Sequence, residues 1–291
     1  MNTPNRFRLV PLLAGILFCL AADIASAQIE VAPTRVILSM RERSQEINVS
    51  NTSDDQVEVT ADLGFKLIRT DSLGEQTLDS ALTPEEQARS GRSWVKIFPR
   101  RFTLAPRTSR LVRVMVTIPD SVDAGEYWAR LIVSGTPVNS TLPVDLDSTL
   151  GIETDITMRM ELDLPIIIRK GSVETGIRFD ALQARHENGT PLLLLDLQRT
   201  GNSAYRGTLN AVVRDNSGGT VTEASEQYTA EFGLRKAIRL PKLSDGTYTL
   251  DLVSQSIKRG GANDAVIPAQ DVARSYSLNV NGSNITVAAK D

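Results

Sequence analysis

The chain has 291 residues, 41% of them hydrophobic and 23% charged, with a formal net charge of −3. That length holds two domains of ordinary size, and the near-neutral balance gives no electrostatic footprint for nucleic acid or an anionic membrane. One cysteine, Cys19, and one histidine, His186, leave no cysteine metal site and no partners for a Ser/His/Asp or Cys/His catalytic group.

Residues 1–27 read as a secretory signal. Arg6 and Arg8 open it, Leu9 to Ala22 is apolar, and Ala25-Ser26-Ala27 is the cleavage triplet. Bulky Phe18 before Cys19 argues against a lipid anchor. Cleavage after Ala27 starts the mature chain at Gln28 and removes the only thiol. It also removes a net charge of +1, leaving −4 on the remainder. No later apolar run reaches about 18 residues, so no transmembrane helix is expected.

From Gln28 the pattern is that of short strands. Ile29 and Val31 are apolar on odd positions, and after Pro33 the phase flips to Val36, Leu38 and Met40. A one-residue phase change turns side chains to the opposite face, so the first strand is expected to cross from one sheet of a sandwich to the other, with Arg35 at the switch. Alternation returns at Ile47 and Val49, from Val57 to Leu63, and through Val112, Val114, Val116 and Ile118. Thr83-Pro84-Glu85-Glu86 carries a cap, a proline and early acids, and predicts one short helical turn. Asp123-Ala124-Gly125-Glu126-Tyr127 has the form of a tyrosine corner, in which the Tyr hydroxyl satisfies backbone where the chain enters a strand.

Gly151 to Gly171 is the longest regular stretch. Its even positions from Ile152 to Ile168 are apolar except Thr154, and its odd positions are polar except Pro165 and Ile167. This predicts one strand of seventeen residues, about 56 Å long, with one apolar face. A small sandwich cannot cover that length. Either the strand joins two domains and is buried at home, or part of its face is left for a partner. Pro165, which cannot donate to a ladder, suits a bend or an edge.

Beyond Ser172 the segments Leu192 to Leu197, Leu209 to Val213, Ala237 to Leu240, Tyr248 to Val253, Tyr276 to Val280 and Asn284 to Ala288 read as strands. Asp245-Gly246-Thr247-Tyr248 echoes the corner at Tyr127. The expected fold is therefore all-β, two tandem immunoglobulin-like β-sandwiches over residues 28–170 and 171–291. His186 lies in a turn-like context and is expected to be a solvated loop residue. No enzyme, cofactor or metal site is expected.

Several pieces, taken in order, resemble the amino-terminal domain of the periplasmic pilus (fimbrial) assembly chaperones. They are Pro33-Thr34-Arg35-Val36-Ile37-Leu38, Ile47-Asn48-Val49-Ser50-Asn51, Trp94-Val95-Lys96-Ile97-Phe98-Pro99, Phe102-Thr103-Leu104-Ala105-Pro106, Val112 to Pro119 and Tyr127-Trp128-Ala129-Arg130, closed by the long strand. The resemblance implies a periplasmic chaperone that lends its last strand to an incomplete pilin-like subunit, the backbone giving a ladder and alternate side chains filling a groove. The lending face would be Ile156, Met158, Met160, Leu162 and Leu164, each buried side chain contributing roughly 1.5–3 kcal/mol. The resemblance also implies an outer-membrane assembly protein as a further partner, and a basic pair that holds the subunit's terminal carboxylate. Arg35 matches the first member. Pro165 stands where the second, a lysine, belongs, which leaves Arg159 or Lys170 as substitutes. The alternative is a structural or adhesive cell-surface protein whose long strand is used up within its own two domains. Burial of Met158 and Met160 distinguishes the two.

Overall fold

The computed structural model describes residues 29–138, 142–144, 154–156, 159–187, 190–257 and 266–290. The segment read as a signal, its expected cleavage site and Met158 lie outside them. The first half holds β1 (Ile29–Ala32), β2 (Val36–Ser39), β3 (Ser44–Asn51), β4 (Val57–Gly64), β5 (Leu67–Thr70), β6 (Gln76–Asp79), the short helix α1 (Pro84–Gln87), β7 (Val95–Phe98), β8 (Arg101–Leu104), β9 (Ser109–Val116), β10 (Gly125–Pro137), β11 (Leu142–Val144), β12 (Thr154–Ile156) and β13 (Met160–Lys170). The second half holds β14 (Thr175–Glu187), β15 (Thr190–Gly201), β16 (Tyr205–Arg214), β17 (Thr220–Ala230), β18 (Gly233–Arg239), β19 (Gly246–Ser256), β20 (Val272–Asn281) and β21 (Asn284–Ala289). The molecule is all-β, in two immunoglobulin-like sandwiches.

In the first sandwich a sheet ordered β1-β3-β9-β7 faces one ordered β2-β13-β10-β4-β8. The phase flip at Pro33 does what its pattern predicts. Ile29 and Val31 bury from one sheet, and Val36 and Leu38 bury from the other. Alternate residues of every long strand meet in one core, which includes Ile47, Val59, Val112, Leu131 and Ile166. The helix starts at its expected cap: Glu86 N donates to Thr83 Oγ1 at 3.3 Å, and Thr83 N donates back to the Glu86 carboxylate at 2.8 Å.

The second sandwich sets β14-β15-β18 against β17-β16-β19-β20-β21. Its core gathers Leu193, Leu195, Tyr205, Leu250 and Leu278. The echo in sequence is an echo in structure. Tyr127 Oη donates to the Asp123 carbonyl and Tyr248 Oη to the Ser244 carbonyl, each at 3.0 Å and each four residues upstream. Gly125 and Gly246 sit at the same positive φ, 151°, where a side chain is strained.

Three elements carry no simple period and are found only in the structure. β14 changes phase at a bulge between Phe179 and Ala181. β17 is almost wholly solvent-facing from Thr220 to Gln227. The β5–β6 hairpin leaves the first sandwich and docks on β18 of the second. Arg235 N donates to Thr70 Oγ1 at 2.7 Å, Arg239 pairs with Glu75 at 2.9 Å, and a Cβ on Gly74 would lie 2.9 Å from Ala237 N. β15 is the middle strand beside it. Leu193 and Leu195 bury in the core while Leu192 and Leu194 bury on the opposite face, which is why its sequence is a continuous leucine run.

The single strand expected over 152–168 is described as two pieces. β12 pairs with β11 in a separate two-stranded sheet, while β13 starts at Met160. Alternation fixes which face a residue takes but not which strand it pairs with.

Candidate functional site

β13 is paired unequally on its two sides. On one it follows β10 antiparallel over its whole length, from Gly125 opposite Lys170 to Gly135 opposite Met160. On the other, β2 runs parallel to it only from Ile166 to Arg169. From Met160 to Pro165 this second side carries no paired strand among the described residues. A strand offers backbone groups to both sides, so this is an open edge of about 20 Å, in a strand whose Pro165 has no N–H to donate.

The side chains along that edge go from buried to half-buried. Leu164 is 5% exposed, whereas Leu162 and Met160 are half-buried and pack on the same core. Glu161 on the other face is exposed, and Asp163 is held by Lys66 at 3.4 Å and Arg130 at 3.8 Å. The structure thus brings Met160, Leu162 and Leu164 together on β13. Ile156 belongs to β12, opposite Leu142, and Met158 lies outside the described residues.

The register places Arg35 at the boundary of the covered and open edge. Val36 faces Ile166 across the β2–β13 ladder, so Arg35, one residue earlier, comes beside Pro165. Arg35 also lines a cavity of about 450 Å³ between the sandwiches, together with Ile68, Arg206 and Tyr228. Burial holds the Arg206 guanidinium below its usual pKa. The Glu126 carboxylate acts against this, and the like charge of Arg35 adds to it. The two substitutes considered from sequence are engaged elsewhere. Arg159 donates to Ser134 Oγ at 2.9 Å, and Lys170 Nζ donates to the carbonyls of Pro119, Asp120 and Val122. The second cation beside Arg35 is Arg206, on β16 of the other sandwich. Nothing local in the sequence marks it; only the packing of one sandwich on the other brings the two together.

That packing is fixed by a buried charge. Glu126 is fully buried. Its carboxylate accepts from Arg169 Nε at 3.1 Å, Trp128 Nε1 at 2.8 Å, Ser203 Oγ at 3.0 Å and Ala204 N at 3.4 Å, and Arg206 Nη2 lies 3.5 Å away. A second buried acid, Glu231, accepts from Ile68 N at 2.7 Å and pairs with Arg130 at 3.4 Å. Burial raises its pKa, and the Arg130 charge opposes that. Around these acids Leu67, Trp128, Ile167 and Ala204 form a small apolar cluster with Phe65, Leu82 and Phe232, the Trp128 ring edge-on to Phe232 at 5.8 Å. Networks of this kind are costly to leave half-satisfied, so they specify one docking geometry.

Among the described residues no helix is long and apolar enough to cross a membrane, and no cluster of three or more His, Cys, Asp or Glu side chains is arranged for a metal. His186 is exposed at the end of β14.

No family model matches the chain, and no curated protein matches it. Solved structures that resemble it include the CsuC–CsuE chaperone–tip adhesion subunit pre-assembly complex of Acinetobacter baumannii (12% identity, 90% of this chain and 98% of that one, TM-score 0.42). Others are the SafA pilin–SafB chaperone complex of Salmonella enterica (14%, 84% and 94%, 0.42) and the CupB2 chaperone of Pseudomonas aeruginosa (10%, 87% and 100%, 0.41).

Proposed function

We propose that this protein is an exported, non-enzymatic chaperone of the periplasm that holds secreted or surface-assembled β-rich subunits, pilin-like ones among them, by lending the open edge of β13. The observation that carries this reading is the stretch from Met160 to Pro165, which no strand among the described residues pairs on one side, with Leu164 buried and Leu162 and Met160 half-buried along it. A subunit lacking a strand gains a ladder from that backbone and apolar filling from Met160 and Leu162. Methionine suits a surface that accepts several clients.

The same geometry supports a direction. A strand laid on the open edge parallel to β13, in line with β2, ends its carboxy terminus at Arg35 and the cavity shared with Arg206. An antiparallel strand brings an ammonium group there instead, against Arg35 and against Arg206, which Glu126 already pairs. Arg35 and Arg206 therefore favour a parallel client strand whose terminal carboxylate they hold. An outer-membrane assembly protein would find a separate face: Phe98 and Leu111, 71% and 56% exposed, project from the neighbouring strands β7 and β9 beside Lys96 and Arg113.

The test is affinity capture by mature protein from its native extracytoplasmic extract, with mass spectrometry, followed by titration of the captured subunit against variants. A stoichiometric small β-rich partner is expected, with binding reduced at least about tenfold in Met160→Arg and in Arg35→Ala, each contact being of the order of 1.4 kcal/mol or more. A folded Met160→Arg protein that binds its partner like the parent overturns the reading. Full burial of Leu164 in the home core favours the second reading, a structural or adhesive surface protein, and capture of envelope polymers alone would select it.

A further inference from the structure

Charge is spread unevenly along the first sandwich. From Gln87 to Pro119 there is no Asp or Glu, yet the same stretch carries Arg89, Arg92, Lys96, Arg100, Arg101, Arg107, Arg110 and Arg113, in a chain of net charge −3. Half of these cations are answered locally. Arg107 pairs with Asp54 at 2.9 Å and Arg113 with Glu46 at 2.7 Å. Arg89 and Arg110 lie over the rings of Tyr127 and Phe102, at 5.3 Å and 5.4 Å. Arg92, Lys96, Arg100 and Arg101 are exposed and make no ion pair among the described residues.

The fold gathers these four at one border of the sandwich. β7 ends one sheet and β8 ends the other, and Pro99 and Arg100 join them. Val95, Ile97, Phe102 and Leu104 turn inward, so Lys96 and Arg101 project from the two outer faces on either side of the border. Between those faces lies a cavity of about 690 Å³, with Arg92 and Arg100 in its wall. Its shape follows from the pairing of β4. β8 covers β4 only from Val57 to Thr60, the Arg100 carbonyl takes one more N–H from Ala61 at 2.7 Å, and the Leu63 carbonyl accepts from Arg92 Nε at 2.9 Å. A side chain instead of a strand closes the end of β4, which leaves a hollow and fixes the Arg92 fork at its side. Ser90 and Ser93 add hydroxyls to the lining, and buried Val95 gives it an apolar floor. Asp62 is the one acid there, and it pairs with neither arginine. Glu58 and Asp62 flank Thr60, which faces Arg101, so Arg101 is the least available of the four.

An occupant of this place must bring acceptors and negative charge, and guanidinium forks match carboxylates. A flat lipid surface meets cations that protrude, whereas Arg92 and Arg100 line a concavity that peptide side chains can enter. The cations also span the border from one outer face to the other, farther than one small anion reaches. We propose that this cleft docks an extended acidic segment of a partner protein, with its carboxylates on Arg92 and Arg100 and Lys96 along the flank. The site does not rest on the lending of β13: β10 and β4 stand between that strand and β8.

The experiment is a fluorescence anisotropy titration of mature protein into a labelled short peptide of alternating aspartate and serine. The same peptide with asparagine for aspartate is the comparison, and both are run at low and at physiological salt. Saturable binding of the aspartate peptide is expected, at least about tenfold tighter than that of the asparagine peptide and weaker as salt rises. Arg100→Gln changes an exposed side chain that makes no described bond, so it is expected to fold like the parent and to weaken binding about threefold. Arg92→Gln also frees the Leu63 carbonyl, and the double variant should lose about tenfold. Arg185→Gln removes the same charge from an exposed position on β14 of the second sandwich and should bind like the parent, which separates a local site from net charge. Equal binding of the two peptides, or an Arg100→Gln protein that binds like the parent, overturns the proposal. So does Arg100-dependent sedimentation with phosphatidylglycerol vesicles in the absence of peptide binding, which would make the border a lipid surface.

Discussion

Replacing Glu126 by glutamine removes one negative charge and nothing else of size. The charge it removes is completely buried, with Arg169 at 3.1 Å and Arg206 at 3.5 Å left facing an amide. Breaking a buried ion pair from one side typically costs about 3–5 kcal/mol. The amide oxygen still accepts from some of the Trp128, Ser203 and Ala204 donors, so the lower end, about 3 kcal/mol, applies here. At roughly 2–4 °C per kcal/mol for a protein of this size, Tm falls by about 10 °C. Ser203, Ala204 and Arg206 belong to the second sandwich while Glu126 belongs to the first. The loss is therefore expected to separate the two sandwiches, so that one urea transition becomes two. Urea unfolding followed by tryptophan fluorescence reads both effects, with Trp128 itself bonded to the altered group. A loss under about 1 kcal/mol with the parent's single transition would show that the buried carboxylate does not organise the joint.

The two tyrosine corners give a simpler test. Tyr127→Phe and Tyr248→Phe each delete one hydroxyl–carbonyl bond and are expected to cost about 0.5–1.5 kcal/mol, more at the half-buried Tyr127 bond than at the exposed Tyr248 one. Because the corners lie in separate sandwiches, the urea-derived costs should add to within about 0.5 kcal/mol in the double variant. Glu231 predicts a pH dependence. Burial raises its folded pKa above the ordinary 4.5, so between 4.5 and that raised value the native state holds more protons than the unfolded one. Stability from this group is complete below that window and is lost as pH rises through it. Glu231→Gln should remove that slope, and urea midpoints of parent and variant across the window should diverge in that sense; a difference that stays flat or runs the other way contradicts it.

Local pattern made most of the fold legible. The phase flip at Pro33 predicts the sheet crossing, the Thr83-to-Glu86 signature predicts α1, and Gly-x-Tyr at 125–127 and 246–248 predicts both corners. In each case the physical cause lies within a few residues. β14 and β17 were not legible, one because a bulge resets its period and the other because its outward face is polar on both phases. The β5–β6 hairpin was missed because its contacts are made with a strand more than 150 residues later. For the same reason the sequence pointed to Arg35 but not to Arg206, and it treated residues 152–168 as one strand where β12 and β13 have different neighbours. Side-chain alternation carries information about faces. Pairing partners and cross-domain neighbours are decided by tertiary packing.

Among the described residues the edge is open over six positions, which has a consequence for the protein on its own. Sheets with free borders stack into long polymers when two borders match in length and lack interruptions. Here β2 seals the border from Ile166 onward, Pro165 has no N–H to give to a ladder, and exposed Glu161 puts a negative charge along the open part. Two copies approaching border to border would share a short, proline-broken register with like charges close together. That border is therefore a poor template for pairing with its own copy, which suits the lending role proposed for it.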